Sequence, residues 1–147
     1  MRIPAILHFS ATLAVLACAL PGRTTAQSPA PASAATPRTL LDGVFTDAQA
    51  SRGRTTYAAH CGSCHSTSEF SRAGFLAGWR GQSVFALHVH IRDLMPFDNP
   101  GSLSPEQYTD VLTYIFSLHA LPGGAQELPP DSAAQAAVLI ETREPEK

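Results

Sequence analysis

The stretch AAHCGSCHSTSE, residues 58–69, places Cys61, Cys64 and His65 within five positions. Two cysteines separated by two residues can hold a metal, exchange disulfides or anchor a cofactor, and each use needs a different surrounding chain. A zinc site needs about four ligands at one point. This sequence has one CxxC and no second pair of ligands to complete it. A thiol-exchange motif would follow a buried strand, with a helix starting at its first cysteine.

The residues before the motif predict the opposite arrangement. In FTDAQASRGRTTYAAH, residues 45–60, Thr46 can cap a helix and Gln49 can close a capping box, which predicts a helix over residues 47–60. Ala50, Gly53, Tyr57 and Cys61 recur at spacings of three and four, so one face points Tyr57 and Cys61 the same way. A helix therefore ends at the motif. The remaining use engages all of Cys-Gly-Ser-Cys-His: two thiols add to the two vinyl groups of one haem, and His65 supplies an imidazole to the iron. Gly62 and Ser63 are small enough for a tight turn beside the ring.

A haem that carries electrons needs a second axial ligand. The methionines are Met1 and Met95, and Met95 lies 30 residues after His65 in RDLMPFDNPGSLS, residues 92–104, followed by Pro96. The alternative is a second imidazole from His88 or His90, which are two apart and cannot share one helical face. His60 is expected to face away from Cys61, and His119 to close the last helix.

Two more helices are predicted around these positions. Val84, Leu87 and Ile91 give residues 83–92 a helical period, although the alternation there also suits a short strand. LSPEQYTDVLTYIFSLHALPGG, residues 103–124, has Ser104 as cap, Pro105 at the first position, Gln107 to close the box and Pro122-Gly123-Gly124 as a stop. Tyr108, Val111, Leu112, Ile115 and Leu118 form its apolar face, with Tyr114 at the edge. Residues 62–82 and 96–103 are expected to be loop. No internal repeat is present.

The chain ends impose an organisation. Arg2, the mostly apolar residues 3–20 and the small residues Thr24, Thr25 and Ala26 predict an export signal over residues 1–26, hence a periplasmic protein. The alternatives are an uncleaved signal serving as an inner-membrane anchor, or lipid attachment at Cys18. Residues 27–39, rich in Ala, Pro and Ser, read as a flexible linker. Residues 40–124 are the folded domain, and residues 125–147 a C-terminal extension whose apolar run at 133–140 is expected to fold back. Loss of Arg2 and Arg23 with the signal leaves eight basic against twelve acidic residues, a formal charge of −4, which disfavours nucleic acid as a partner.

Residues 45–124 resemble a class I c-type cytochrome domain. Gly53, Tyr57 and Cys61 reproduce that family's Gly-x3-aromatic-x3-Cys, Val111 and Tyr114 its aliphatic-x2-aromatic in the last helix, and Met95-Pro96 its distal loop. The resemblance implies an all-α, cytochrome c-like fold of three main helices and loops around one haem c. Cys61 and Cys64 would anchor the haem, and His65 and Met95 would ligate its iron. Residues 95–101 and 108–124, with the ELPPD that follows at 127–131, are further similar to cytochrome domains of bacterial exported electron-transfer chains, including subunits that serve quinoprotein dehydrogenases. Trp79 after Gly78 resembles the aromatic that borders the haem propionates in this family, against the alternative of a core residue, and Arg72, Arg80 and Arg92 are candidate partners of the propionates.

The function implied is that of a single-haem electron carrier, not itself an enzyme, between exported or membrane-bound partners such as a dehydrogenase or a terminal oxidase. The alternative is a haem enzyme or gas-binding sensor with an open distal iron position. Phe70, Phe75, Phe85, Phe97 and Ile115 are the expected apolar surroundings of the haem. Lys147 is the only lysine, so docking must rest on arginine, apolar contact or acidic patches. The family's proline after the CxxCH is missing from residues 66–75, which leaves the hydrogen-bond partner of His65 open, a backbone carbonyl placed elsewhere being one way to orient it.

Overall fold

The computed structural model describes residues 37–142; the leader expected at residues 1–26, its alternative at Cys18 and most of the linker lie outside them. Three helices dominate: α1 (Asp47–His60), α4 (Val84–Leu94) and α5 (Pro105–Ser117). Between α1 and α4, in the region expected to be loop, two single-turn helices form, α2 (Thr67–Ser71) and α3 (Ala73–Ala77). A short α6 (Ser132–Ala136) follows α5. The fold is all-α and cytochrome c-like. Its only strands among the described residues are β1 (Arg38–Thr39) and β2 (Val138–Leu139), paired in parallel.

The helix starts follow from their caps. The Thr46 hydroxyl accepts from Gln49 N at 3.1 Å, and the Ser104 hydroxyl accepts from Gln107 N at 3.2 Å. Each such cap contributes about 1 kcal/mol. At α5 the Gln107 side chain returns the bond to Ser104 N, closing the expected box. At α1 the expected box stays half made. The Gln49 amide is buried and instead exchanges two hydrogen bonds with the Leu128 backbone, 2.9 Å to its carbonyl and 2.8 Å from its N–H.

That exchange ties the C-terminal segment to α1. Arg52 adds a second tie, pairing with Asp110 of α5 at 3.0 Å and with Glu127 at 2.6 Å. Its half-exposed guanidinium contributes about 0–1 kcal/mol per pair, so the buried Gln49 contact is the firmer of the two. Beyond it, Gln135 of α6 accepts from His88 Nδ1 at 2.8 Å and donates to Thr109 Oγ1 at 2.9 Å, joining α4 to α5. The run at residues 133–140 thus folds back. Ile140, fully buried, completes it by donating its N–H to the Gln82 carbonyl at 2.8 Å.

α1 and α5 cross at Gly53. A Cβ there would run into the Asp110 carbonyl and would come to 3.0 Å from Tyr114 Cβ, so only glycine permits this approach of the two backbones. α5 then divides the interior. Leu112 and Phe116 face one core with Leu40, Phe45, Leu76 and Ile140. Val111 and Ile115 face a second with Tyr57. The second core forms one wall of the site.

Candidate functional site

A cavity of about 670 Å³ lies against that second core. Cys61, Cys64 and His65 reach it from the end of α1, Met95 from the end of α4, and Val111 and Ile115 from α5. Phe70, Phe75 and Trp79 complete its apolar wall below α4. The structure therefore brings together all four residues singled out by the sequence. Helical period explains which face of α4 takes part: Leu87, His90, Ile91 and Leu94 line the cavity at spacings of three and four. Phe85, two residues before Leu87, falls on another face and packs near His88, so it is not part of the lining.

On the CxxCH side the α1 backbone bonds to the turn, with Cys61 N and Gly62 N both donating to the Tyr57 carbonyl at 2.8 and 2.9 Å. The Tyr57 hydroxyl donates to the His65 carbonyl at 2.8 Å, and burial pushes its pKa up to about 12. The same face of α1 that carries Cys61 thus also holds the backbone of His65. Phe70 sits at the centre of the aromatic wall, edge-on to Tyr57, His65 and Phe75 at centroid distances of 5.9, 5.5 and 5.2 Å.

The partner of His65, which the sequence left open, is a side chain. His65 Nδ1 lies 3.1 Å from Glu69 Oε2. A carboxylate only accepts, so Nδ1 carries the proton and Nε2 is the nitrogen left to ligate a metal. Glu69 Oε1 accepts from Ser66 N at 3.0 Å, forming the capping box of α2. The His65 hydrogen bond, followed by that from the Ser66 backbone, holds the Glu69 carboxyl below its usual range. Both groups are partly exposed. The signal was present in the sequence: Ser66-x-x-Glu69 is a capping-box pattern, and Glu69 lies four residues after His65.

On the Met95 side the tie is again a tyrosine. The buried Tyr108 hydroxyl, on the first turn of α5, donates to the Met95 carbonyl at 2.7 Å and receives Leu103 N at 3.5 Å. Met95 itself ends α4, its N–H bonded to the Ile91 carbonyl at 2.8 Å, and its bond to Pro96 is cis. The next residue, Phe97, is 88% exposed at the cavity mouth. Sequence reasoning placed Tyr108 on an apolar face and missed its hydroxyl.

The other histidines separate clearly. His88 is buried with Nδ1 donating to Gln135, and burial lowers its pKa, with the Gln135 bond opposing. It does not line the cavity, whereas His90 does, edge-on to Trp79 at 5.1 Å. His119 lies two residues past α5 and donates from Nε2 to the Phe70 carbonyl at 2.6 Å. His60, expected to face away, contributes to the cavity rim. Arg72, Arg80 and Arg92 do not line the cavity; Arg80 pairs with Glu141 at 3.6 Å and Arg92 with Asp93 at 2.8 Å.

The rival uses of the cysteines find no support in this geometry. Burial pushes the Cys61 thiol up, whereas an exchanging cysteine needs a depressed pKa. Among the described residues no three His, Cys, Asp or Glu side chains gather as a metal-binding cluster.

Residues 48–115 match the family model described as cytochrome C oxidase, cbb3-type, subunit III. No curated protein and no solved structure matches the chain. A c-type cytochrome domain implies covalently bound haem c with its iron, and the residues present fit that group. The cavity volume lies within the usual ~300–1,000 Å³ of cofactor sites, its walls are apolar, and the paired thiols stand beside an imidazole whose Nε2 is left for coordination. The span from α1 through most of α5, with CxxCH inside it, is a c-type cytochrome domain, consistent with class I, and so a haem-based electron carrier.

Proposed function

We propose that the protein is a single-haem c-type cytochrome that passes one electron between exported or membrane-bound redox partners, with Cys61 and Cys64 as the covalent anchors and His65 and Met95 as the axial ligands. The observation that carries this reading is that these four side chains, from the ends of two different helices, line one apolar cavity. Haem c, when bound there, supplies an iron that accepts and releases one electron.

The chain's own residues set the conditions for that exchange. His65 presents Nε2 because Glu69 holds the proton on Nδ1. Met95 offers a neutral thioether, which favours reduced iron relative to a second imidazole. Val111, Ile115, Phe70 and Phe75 keep water from the interior face, while Leu94 and Phe97 leave apolar surface at the mouth. With His65 and Met95 both as ligands, the iron of a bound haem would offer no position to a substrate.

The matched family's name refers to a subunit of a cytochrome c oxidase. A terminal oxidase is accordingly one partner class proposed here, and a dehydrogenase that this chain serves as cytochrome subunit is the other. The periplasm is the proposed location, on the strength of residues 1–26.

Expression with c-type maturation machinery tests the reading. The expected product carries covalent haem, shows a low-spin spectrum with a methionine–iron band, and loses that band in Met95→Ala. A five-coordinate ferrous spectrum with rapid carbon monoxide binding in the native protein would instead assign a sensor or haem enzyme. Copurification with a dehydrogenase or an oxidase would identify the partner.

A further inference from the structure

The acceptor opposite His65 Nδ1 decides how much electron density its other nitrogen offers to iron. A backbone carbonyl is a neutral acceptor; a carboxylate carries a full charge and makes the imidazole a stronger donor. Here residues 66–75 contain no proline, and the position is taken by Glu69 Oε2 at 3.1 Å.

We propose that Glu69 is a positioning residue for the haem site: its carboxylate fixes the tautomer and ring orientation of His65 and lowers the reduction potential of the bound haem. This rests on His65 being the proximal ligand, as proposed above. Three contacts hold the carboxylate in place. Oε1 receives Ser66 N at 3.0 Å and Ser66 Oγ at 3.3 Å, so α2 begins with Glu69 already turned back towards His65. Oε2 is thereby left for the imidazole. The ring is gripped from two further directions, by the edge of Phe70 and, through its own backbone carbonyl, by the Tyr57 hydroxyl. A ring held in this way transmits a change in its acceptor to Nε2 with little room to rotate instead.

The carboxylate therefore opposes the thioether. Met95 favours the ferrous state, and Glu69 favours the ferric state by making His65 more basic. Water reaches this pair, since the side chains of His65 and Glu69 are 32% and 46% exposed. Solvent screening keeps the effect modest, up to about tenfold in the ferric/ferrous equilibrium, or about 59 mV for one electron.

The test compares midpoint potentials of the full-length holoprotein with those of Glu69→Gln and Ser66→Ala. Glutamine removes the charge yet can still close the capping box, so α2 is retained. Glu69→Gln is expected to raise the potential while the low-spin, methionine-ligated spectrum stays. Ser66→Ala, which weakens the cap and removes one contact on Oε1 but leaves Oε2 on His65, is expected to lower stability and to raise the potential by much less than Glu69→Gln. In Glu69→Ala the His65 Nδ1–H resonance should exchange faster with water. A Glu69→Gln potential equal to wild type would overturn the inference, as would an equal rise in Ser66→Ala, because the effect would then be one of α2 folding. A wild-type chain that carries no covalent haem would overturn the ligand assignment and this inference together; an unchanged potential in a normally ligated holoprotein would overturn this inference alone.

Discussion

The two ends of the cavity solve the same problem with one shared device and one difference. At each, a buried tyrosine on a long helix donates its hydroxyl to the backbone carbonyl of a proposed ligand residue: Tyr57 of α1 to His65 at 2.8 Å, and Tyr108 of α5 to Met95 at 2.7 Å. The backbone is thus pinned while the ligating atom stays available. The difference lies at the side chain. His65 is a polar ligand with a second nitrogen that must be satisfied, and Glu69 answers it. A thioether makes no such demand. On the ligation proposed above, the CxxCH end would be tuned through a hydrogen bond, and the Met95 end through the hold on its loop.

The largest expected effect removes the support common to both ends. Gly53→Ala forces the Asp110 backbone away from α1, shifting α5 and with it Tyr108, and should cost about 3 kcal/mol or more. Chemical denaturation of the holoprotein checks this, and a variant as stable as wild type would show that the helix crossing does not organise the two ends together.

The next effect separates them by pH. Tyr57 has its pKa raised by burial to about 12, above the ordinary value near 10, so the folded state keeps the proton longer than the unfolded chain. The stability linked to it is fully present below about pH 10 and is lost as pH rises towards 12, about 2–3 kcal/mol for a shift of two units. Unfolding followed from pH 8 to 12 should show this decline in wild type and lose it in Tyr57→Phe. A decline of the same size in the variant would place its origin elsewhere.

The smallest effect falls on the Met95 end alone. Tyr108→Phe removes one hydroxyl bond to the Met95 carbonyl, about 1 kcal/mol. Met95 should then yield its place to added imidazole at lower concentration than in wild type, while Tyr57→Phe leaves that titration nearly unchanged. Equal responses from the two variants would erase the distinction between the ends.

Much of this arrangement was readable in the chain because it is local. Caps at Thr46 and Ser104, Pro105 at a first helical turn and the three-four spacing of Gly53, Tyr57 and Cys61 act within a few residues, and α1 takes the bounds expected of it. The nearness of His65 to Cys64 needs no tertiary structure at all. Short helices were harder: α2 and α3 span five residues each, too few for a hydrophobic period to declare itself against Ser and Gly. Phe85 was misplaced because its type suits an apolar wall, while the face of α4 that meets the cavity is set by what packs behind it.

By itself the sequence singled out the residues proposed to carry the chemistry, since two cysteines and an imidazole that are to meet one haem must be adjacent in the chain, and that adjacency is covalent. Only the tertiary structure decided how Met95 joins them across 30 residues and what holds each proposed ligand. Gln49 leaves its own cap for Leu128, and Tyr108 reaches back to Met95, because burial demands a partner for every polar group. The partner each group finds is the nearest in space, which spacing along the chain does not reveal.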